Sequence, residues 1–206
     1  MGVDLVCSPL TLAFPRKRRG KNQAISQVIP ISEQEKMRQK YLILLVVCSG
    51  ILLIDQWTKH VVQGKLFLHQ TIGVIPGFFN LVHVRNTGGA FGIFGGERGG
   101  LGSLLFVVVS LIAVGCILVF FIKTREDEKM ISLSLSLVLG GAIGNLIDRF
   151  RYGEVVDFLD FYFRSYHWPA FNIADSAICI GIGLMALELL RRDYRKSTKS
   201  QAPSPK

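Results

Sequence analysis

Between residues 101 and 122 the chain runs for the thickness of a bilayer core without one charged side chain. A hydrocarbon core of roughly 30 Å needs about 20 apolar residues in helical form. Such a block has few stable places outside a membrane. It does not stand alone. Residues 130–147 form a second uncharged block, 41–62 a third that carries Asp55 and Lys59, and 171–187 a fourth that carries Asp175. The four blocks are spread from residue 41 to residue 187 of a 206-residue chain that is 50% hydrophobic. No room remains for a separate soluble catalytic domain, and a water-soluble domain would instead alternate apolar and polar helix faces. The blocks predict an α-helical integral membrane protein with four transmembrane helices.

The formal net charge of +9 is unevenly placed. Basic residues crowd 16–40, 123–129 and 191–206, while the other two connections hold few. The positive-inside rule then puts both termini and the 123–129 loop in the cytoplasm, and 63–100 and 151–170 outside. Clusters arranged this way fit topology and anionic-lipid contact, not nucleic-acid binding. Cys7, Cys48, Cys116 and Cys179 are scattered, with neither metal spacing nor a disulfide framework.

Residues 1–36 are basic, contain proline and lack sustained periodicity. They are expected to form a disordered N-terminal extension, with a transit peptide or an upstream start codon as alternatives. The membrane domain is then 37–192, and 193–206 is expected to be a disordered tail. In the outer segment Pro76-Gly77 marks a turn, and 78–84 reads as a short strand. This predicts a small sheet lying on the outer membrane face. The 151–168 connection carries Phe158, Phe161, Tyr162, Phe163, Tyr166 and Trp168, an aromatic belt for the outer interface.

Asp157 and Asp175 stand out against this background. A carboxylate at mid-membrane depth costs on the order of 2.5–3.5 kcal/mol, so an ionisable residue there is a functional candidate. Asp157 follows the third span and Asp175 opens the fourth, so both fall near the outer interface. Two carboxylates sharing a site do not both ionise easily, and one holds a proton. The ionised member can act as general base on water, and the protonated one can polarise a carbonyl and donate to a leaving amine. The plainer reading is an interfacial Asp at each loop end, with Asp175 serving a helix N-terminus. Asn172, three residues before Asp175, either orients a carboxylate or caps the helix. Gly140 and Gly144 form a GxxxG pair for close helix approach. Asn145 and Arg149 lie one helical turn apart, and Arg149 suits a lipid phosphate or the 151–157 loop. Asp55 and Lys59 form an i, i+4 pair, either an interfacial anchor or a support for the carboxylates. His60, His69, His83 and His167 lack ligand spacing, and no serine, zinc or Gly-x-Gly-Asp protease pattern is present.

Five pieces, in order, carry a resemblance: Asp55-Gln-x-x-Lys59, Asn86-Thr-Gly-x-Ala-Phe, Gly141-Ala-Ile-Gly-Asn-Leu-Ile-Asp-Arg149, Val155-Val-Asp-Phe158 and Phe171-Asn-Ile-Ala-Asp-Ser176. Over about 40–190 the chain closely resembles the lipoprotein signal peptidases, the type II signal peptidases of bacteria. Gly89 departs from that family's usual alanine. The resemblance implies four spans with a small extracytoplasmic β-cradle, in the bacterial inner membrane. It implies an aspartyl endopeptidase that cuts prolipoproteins before a diacylglyceryl-modified cysteine. Asp157 and Asp175 would be its catalytic dyad, with Asp55, Lys59, Asn86, Gly88, Asn145, Arg149 and Asn172 lining or supporting the site. Lipidated prolipoproteins and membrane lipids would be its partners, the protein acting as a monomer with no metal, cofactor or nucleic acid. The rival is a proton- or ion-coupled transporter, which would spread its charges through the membrane depth.

Overall fold

The computed structural model describes residues 30–88 and 101–200. Four helices, α1 (Ile31–Lys65), α2 (Leu101–Lys123), α3 (Lys129–Tyr152) and α4 (Ile173–Ser200), are each long and apolar enough to cross a membrane. Between α1 and α2 come strands β1 (Thr71–Ile75) and β2 (Phe79–Asn86). Between α3 and α4 come β3 (Val155–Phe163) and β4 (Tyr166–His167). The strands form one antiparallel sheet in the order β1-β2-β3-β4.

Helix α3 is the centre of the bundle. In its most apolar stretch 56% is buried, against 6% in α1 and in α2. Half of its buried residues are small: Ser132, Ser134, Ser136, Gly140, Gly141 and Gly144. Small side chains let backbones approach where lipid offers no hydrophobic drive between helices. A methyl group on Gly140 would meet Ile51 and Cys48 of α1 at 3.1 and 3.3 Å, and one on Gly141 would collide with the Ala174 carbonyl of α4. The Ser134 and Ser136 hydroxyls donate to the carbonyls of Met130 and Ser132, one turn back in their own helix. Large apolar side chains such as Leu45, Leu53, Phe120 and Ile122 point outward, more than half exposed.

The end away from the sheet is tied by buried charge. Lys40, 2% exposed, donates from Nζ to the carbonyls of Ile122 (3.2 Å) and Thr124 (2.5 Å), capping the C-terminus of α2. Arg192 of α4 pairs with Glu188 and with Glu128, just ahead of α3.

At the sheet end, α3 stops at Gly153, whose left-handed φ of 75° and N–H to Arg149 O turn the chain into β3. There β3 pairs with β2, with Asp157 opposite Val84 and a register shift between Leu81 and Val84. Irregularities of this kind bend a strand and re-aim its side chains. The expected strand over 78–84 is β2, two residues longer at its end. Strands β1, β3 and β4 fall in stretches read from sequence as loop or aromatic connection. Helix α1 starts ahead of residue 37, so 31–36 are helical, and α4 carries 193–200 as helix where a disordered tail is expected. Residues 1–29, Gly89 and 201–206 lie outside the described residues.

Candidate active site

Asp157 and Asp175 reach one place from different elements. Strand β3 brings Asp157, 2% exposed. The first turn of α4 brings Asp175, which is half-buried. Asn172, fully buried, touches both. Its Nδ2 donates to Asp157 Oδ1 at 2.7 Å, its Oδ1 accepts the Asp175 N–H at 3.0 Å, and its own N–H donates to Asp175 Oδ2 at 3.2 Å. The last two bonds are a reciprocal capping box, Asn172 at N-cap and Asp175 at N3. Capping and orienting a carboxylate, alternatives in the sequence, are thus both done by Asn172.

The remaining carboxylate oxygens are held as well. Asn145 Nδ2 donates to Asp175 Oδ1 at 2.7 Å, and Asn86 Nδ2 donates to Asp157 Oδ2 at 3.1 Å. Unambiguous donors settle which way these amides point. Asn145 Oδ1 accepts from Lys59 Nζ at 3.0 Å, and Asn86 Oδ1 accepts the Gly88 N–H at 2.8 Å. Gly88 adopts φ +88°, a conformation suited to glycine, and a methyl group there would press on the Phe106 ring at 2.9 Å. Each amide therefore turns its N–H toward a carboxylate. Burial first, and then the charge of Asp175, push the Asp157 carboxyl up to about 6, against the pull of the Asn86 and Asn172 hydrogen bonds.

Lys59, 1% exposed, sits beneath the pair. Its ammonium lies 2.9 Å from Asp55 Oδ2 and 2.9 Å from Asp148 Oδ2, besides the bond to Asn145. Asp55 and Asp148 are 0% and 1% exposed. Gly144 makes room here, since a methyl group on it would lie 2.7 Å from Asp55 Oδ2. Asp55 Oδ1 accepts the Ala174 N–H at 3.0 Å, capping α4 from another helix. Asp148 Oδ2 accepts the Val156 N–H at 3.2 Å, and Gln56 Nε2 donates to Asp148 Oδ1 at 3.0 Å. Arg149 lies near enough to Asp175, Asp157 and Asp148 for their charges to act on it. Its Nε is buried and has no partner among the described residues.

All nine residues singled out from the sequence thus meet around one cluster. Two members were not among them. Asp148 reads from the sequence only as an acid that could pair with other groups to remove isolated charge, and it does so with Lys59; it shares a helix face with Gly144 and Asn145. Gln56 stands in the Asp55-Gln-x-x-Lys59 piece of the resemblance, but the sequence assigns it no role, because a neighbour of Asp55 points about 100° away from it on a helix. Asp160, the other acid on β3, belongs elsewhere: Asn80 Nδ2 donates to it at 2.8 Å and His167 Nδ1 lies 2.9 Å away.

The signal peptidase II profile matches residues 47–191, a stretch that contains every polar group of the cluster. The chain belongs to the signal peptidase II family. A lipoprotein signal peptidase of Syntrophus aciditrophicus is 48% identical over 160 residues, covering 77% of this chain and 99% of the relative. One of Geobacter metallireducens is 45% identical over 161 residues, covering 78% and 98%. Among solved structures, a bacterial membrane enzyme determined by the in meso method at 2.3 Å resolution superposes with a TM-score of 0.64 at 32% identity, covering 79% of this chain and 93% of that one. A second, at 1.9 Å, gives 0.63 at 34% identity, covering 71% and 92%. Membership places the chain among proteases that remove signal peptides from prolipoproteins.

Proposed function

We propose that the protein is an aspartyl endopeptidase that cuts prolipoproteins before the diacylglyceryl-modified cysteine, with Asp157 and Asp175 activating water between them. The observation that carries this reading is Asn172, which binds both carboxylates and fixes them relative to each other. One member of the pair, ionised, takes a proton from water as the oxygen attacks the scissile carbonyl. The other, protonated, hydrogen-bonds the carbonyl oxygen and later passes its proton to the leaving amine. A carboxyl near 6 holds or releases that proton close to neutral pH. Arg149, with its unpartnered Nε, supplies positive charge beside the pair.

The setting fits a lipid-bearing substrate. The cluster lies where helix ends meet the sheet, so a scissile bond beside a diacylglyceryl group reaches it while the acyl chains stay among membrane lipids. The basic segments support an inner-membrane topology with both termini cytoplasmic and the sheet outside. Every group of the described cluster comes from one chain, so a monomer suffices for this chemistry. A coupled transporter fits less well: the apolar centres of all four helices carry no ionisable Asp, Glu, Lys or Arg.

Purified protein in lipid or detergent is incubated with a prolipoprotein bearing a diacylglyceryl cysteine, beside the Asp175→Asn variant. Cleavage before that cysteine by wild type alone is expected. Turnover by the variant would remove the dyad from the mechanism, and folded but inactive wild type would overturn the peptidase reading.

A further inference from the structure

Each reacting carboxylate is preceded in the chain by a residue whose backbone is pinned from below. The Val156 N–H, next to Asp157, donates to Asp148. The Ala174 N–H, next to Asp175, donates to Asp55. Asp148 and Asp55 are therefore two clamps, one per member of the pair. The same two side chains bind both clamps. Lys59 Nζ lies 2.9 Å from each. Gln56 Nε2 donates to Asp148 Oδ1 at 3.0 Å and to Asp55 Oδ2 at 3.2 Å, with the Gly144 carbonyl also at 3.2 Å. All three groups are acceptors, and Arg151 donates to Gln56 Oε1 at 3.4 Å, so the amide has one sensible orientation.

We infer that Gln56 is a positioning residue, the second donor of a brace that locks the Asp55 and Asp148 clamps together and so sets the separation of Asp157 and Asp175. Lys59 brings one positive charge against two carboxylates, and the Gln56 amide supplies donors where charge alone falls short. Without it the clamps repel and drift, and the backbones beside both reacting groups drift with them. Gln56 touches neither reacting carboxylate and acts only through the clamps. This role rests on the dyad reading above.

The test uses Gln56→Leu and Gln56→Glu of the full chain, assayed on the lipidated prolipoprotein beside wild type and Asp157→Asn. Gln56→Leu removes hydrogen bonds to two charged acceptors, and kcat should fall about tenfold or more with KM nearly unchanged. Gln56→Glu is isosteric. Ionised, it adds a third carboxylate to Asp55 and Asp148. Protonated, it regains a donor. Its kcat relative to wild type should therefore climb as pH falls from 8 to 5.5, at temperatures below the unfolding transition of both proteins at each pH. The charged groups around position 56 are Asp55 and Lys59 on α1 and Asp148, Arg149 and Arg151 on α3, with Asp157 on β3 and Asp175 on α4 beyond them. Both proteins share these groups, so the ratio isolates the residue at 56. A flat ratio, or Gln56→Leu with kcat within twofold of wild type, would overturn the brace while cleavage by wild type and not by Asp157→Asn left the dyad standing. If Gln56→Leu does not fold, the pH arm with Gln56→Glu decides. Inactive, folded wild type would overturn both readings.

Discussion

Asn172 does two jobs with two ends of one amide, and substitution can separate them. Its oxygen caps α4 through the Asp175 N–H, and its nitrogen holds Asp157 at 2.7 Å. Asn172→Ala removes both. Losing the cap costs about 1 kcal/mol of stability. Losing a hydrogen bond to a charged group costs about 1.5–3 kcal/mol. If that bond acts in the transition state, the second loss is a rate reduction of roughly 10- to 150-fold. Asn172→Ser keeps a hydroxyl that caps the helix but is too short to reach Asp157. Ser should recover about 1 kcal/mol of the stability lost by Ala, yet none of the rate. The pH profile offers a second check. The Asn172 bond favours ionised Asp157, so without it the carboxyl rises further above its value of about 6. The alkaline limb of kcat, where the pair loses its shared proton, should move to higher pH in both variants. Thermal unfolding in detergent and cleavage of a lipidated prolipoprotein measure the two effects on the same samples. If Asn172→Ser restores stability and rate together, the amide–Asp157 bond plays no part in catalysis and this reasoning fails.

Lys59→Met strands Asp55 and Asp148, both almost fully buried, with no cation between them. It should destabilise by about 3–5 kcal/mol, and Asp148→Asn added to it should recover part of that; detergent unfolding curves decide, and no recovery would speak against repulsion as the cause. Asp157→Asn should abolish cleavage and change how stability depends on pH. A folded value near 6 lies above about 3.9 for an unfolded chain. The group's contribution is therefore fully present below pH ~4 and lost as pH rises through about 6, up to about 3 kcal/mol. The variant does not suffer that loss, so its stability relative to wild type should grow between pH 4 and 7; a constant difference would refute the assignment. Gly144→Ala would put a methyl group 2.7 Å from Asp55 Oδ2 and 3.3 Å from the Ala174 Cβ. Overpacking there should cost about 1–3 kcal/mol and slow cleavage, read by the same two assays.

The four helices were legible because hydropathy reports the part of a helix that meets lipid. Their ends were not. The stretch 31–40 is polar and rich in good helix formers, so α1 begins there without any apolar signal. Residues 193–200 extend α4 for the same reason. The sheet was harder. Strand β3 is buried along its first four residues, so no alternation marks it, and its aromatics read as an interfacial belt. Strand β1 is exposed throughout and has no pattern to detect. In the site, Asp157 and Asp175 stood out as charges in apolar company. Beneath them the Asp55–Lys59 pair was legible as a candidate support, but the Gln56–Asp148 bond was not, because those residues meet only through the crossing of α1 and α3, 92 positions apart in sequence.

The start of α4 explains why so many acids gather in a membrane domain. The first N–H groups of a helix have no partner within it, and near a bilayer water is a poor substitute. Here protein groups satisfy three N–H groups at the start of α4: Asp175 takes that of Asn172, Asp55 that of Ala174, and Asn172 that of Asp175. The fold itself thus asks for carboxylates at this point, and one of them faces Asp157. Lys59 and Arg149 bring two positive charges against Asp55, Asp148, Asp157 and Asp175, leaving an excess of two negative charges if all four acids ionise. The positive end of α4 offsets roughly half a charge. One proton shared by Asp157 and Asp175 would offset more. Asp157 sits on a strand with no helix end behind it, and its carboxyl is the one that burial and the charge of Asp175 push up to about 6. A need to neutralise the α4 terminus and, on the proposed mechanism, a need for one acid beside one base are met by the same few side chains.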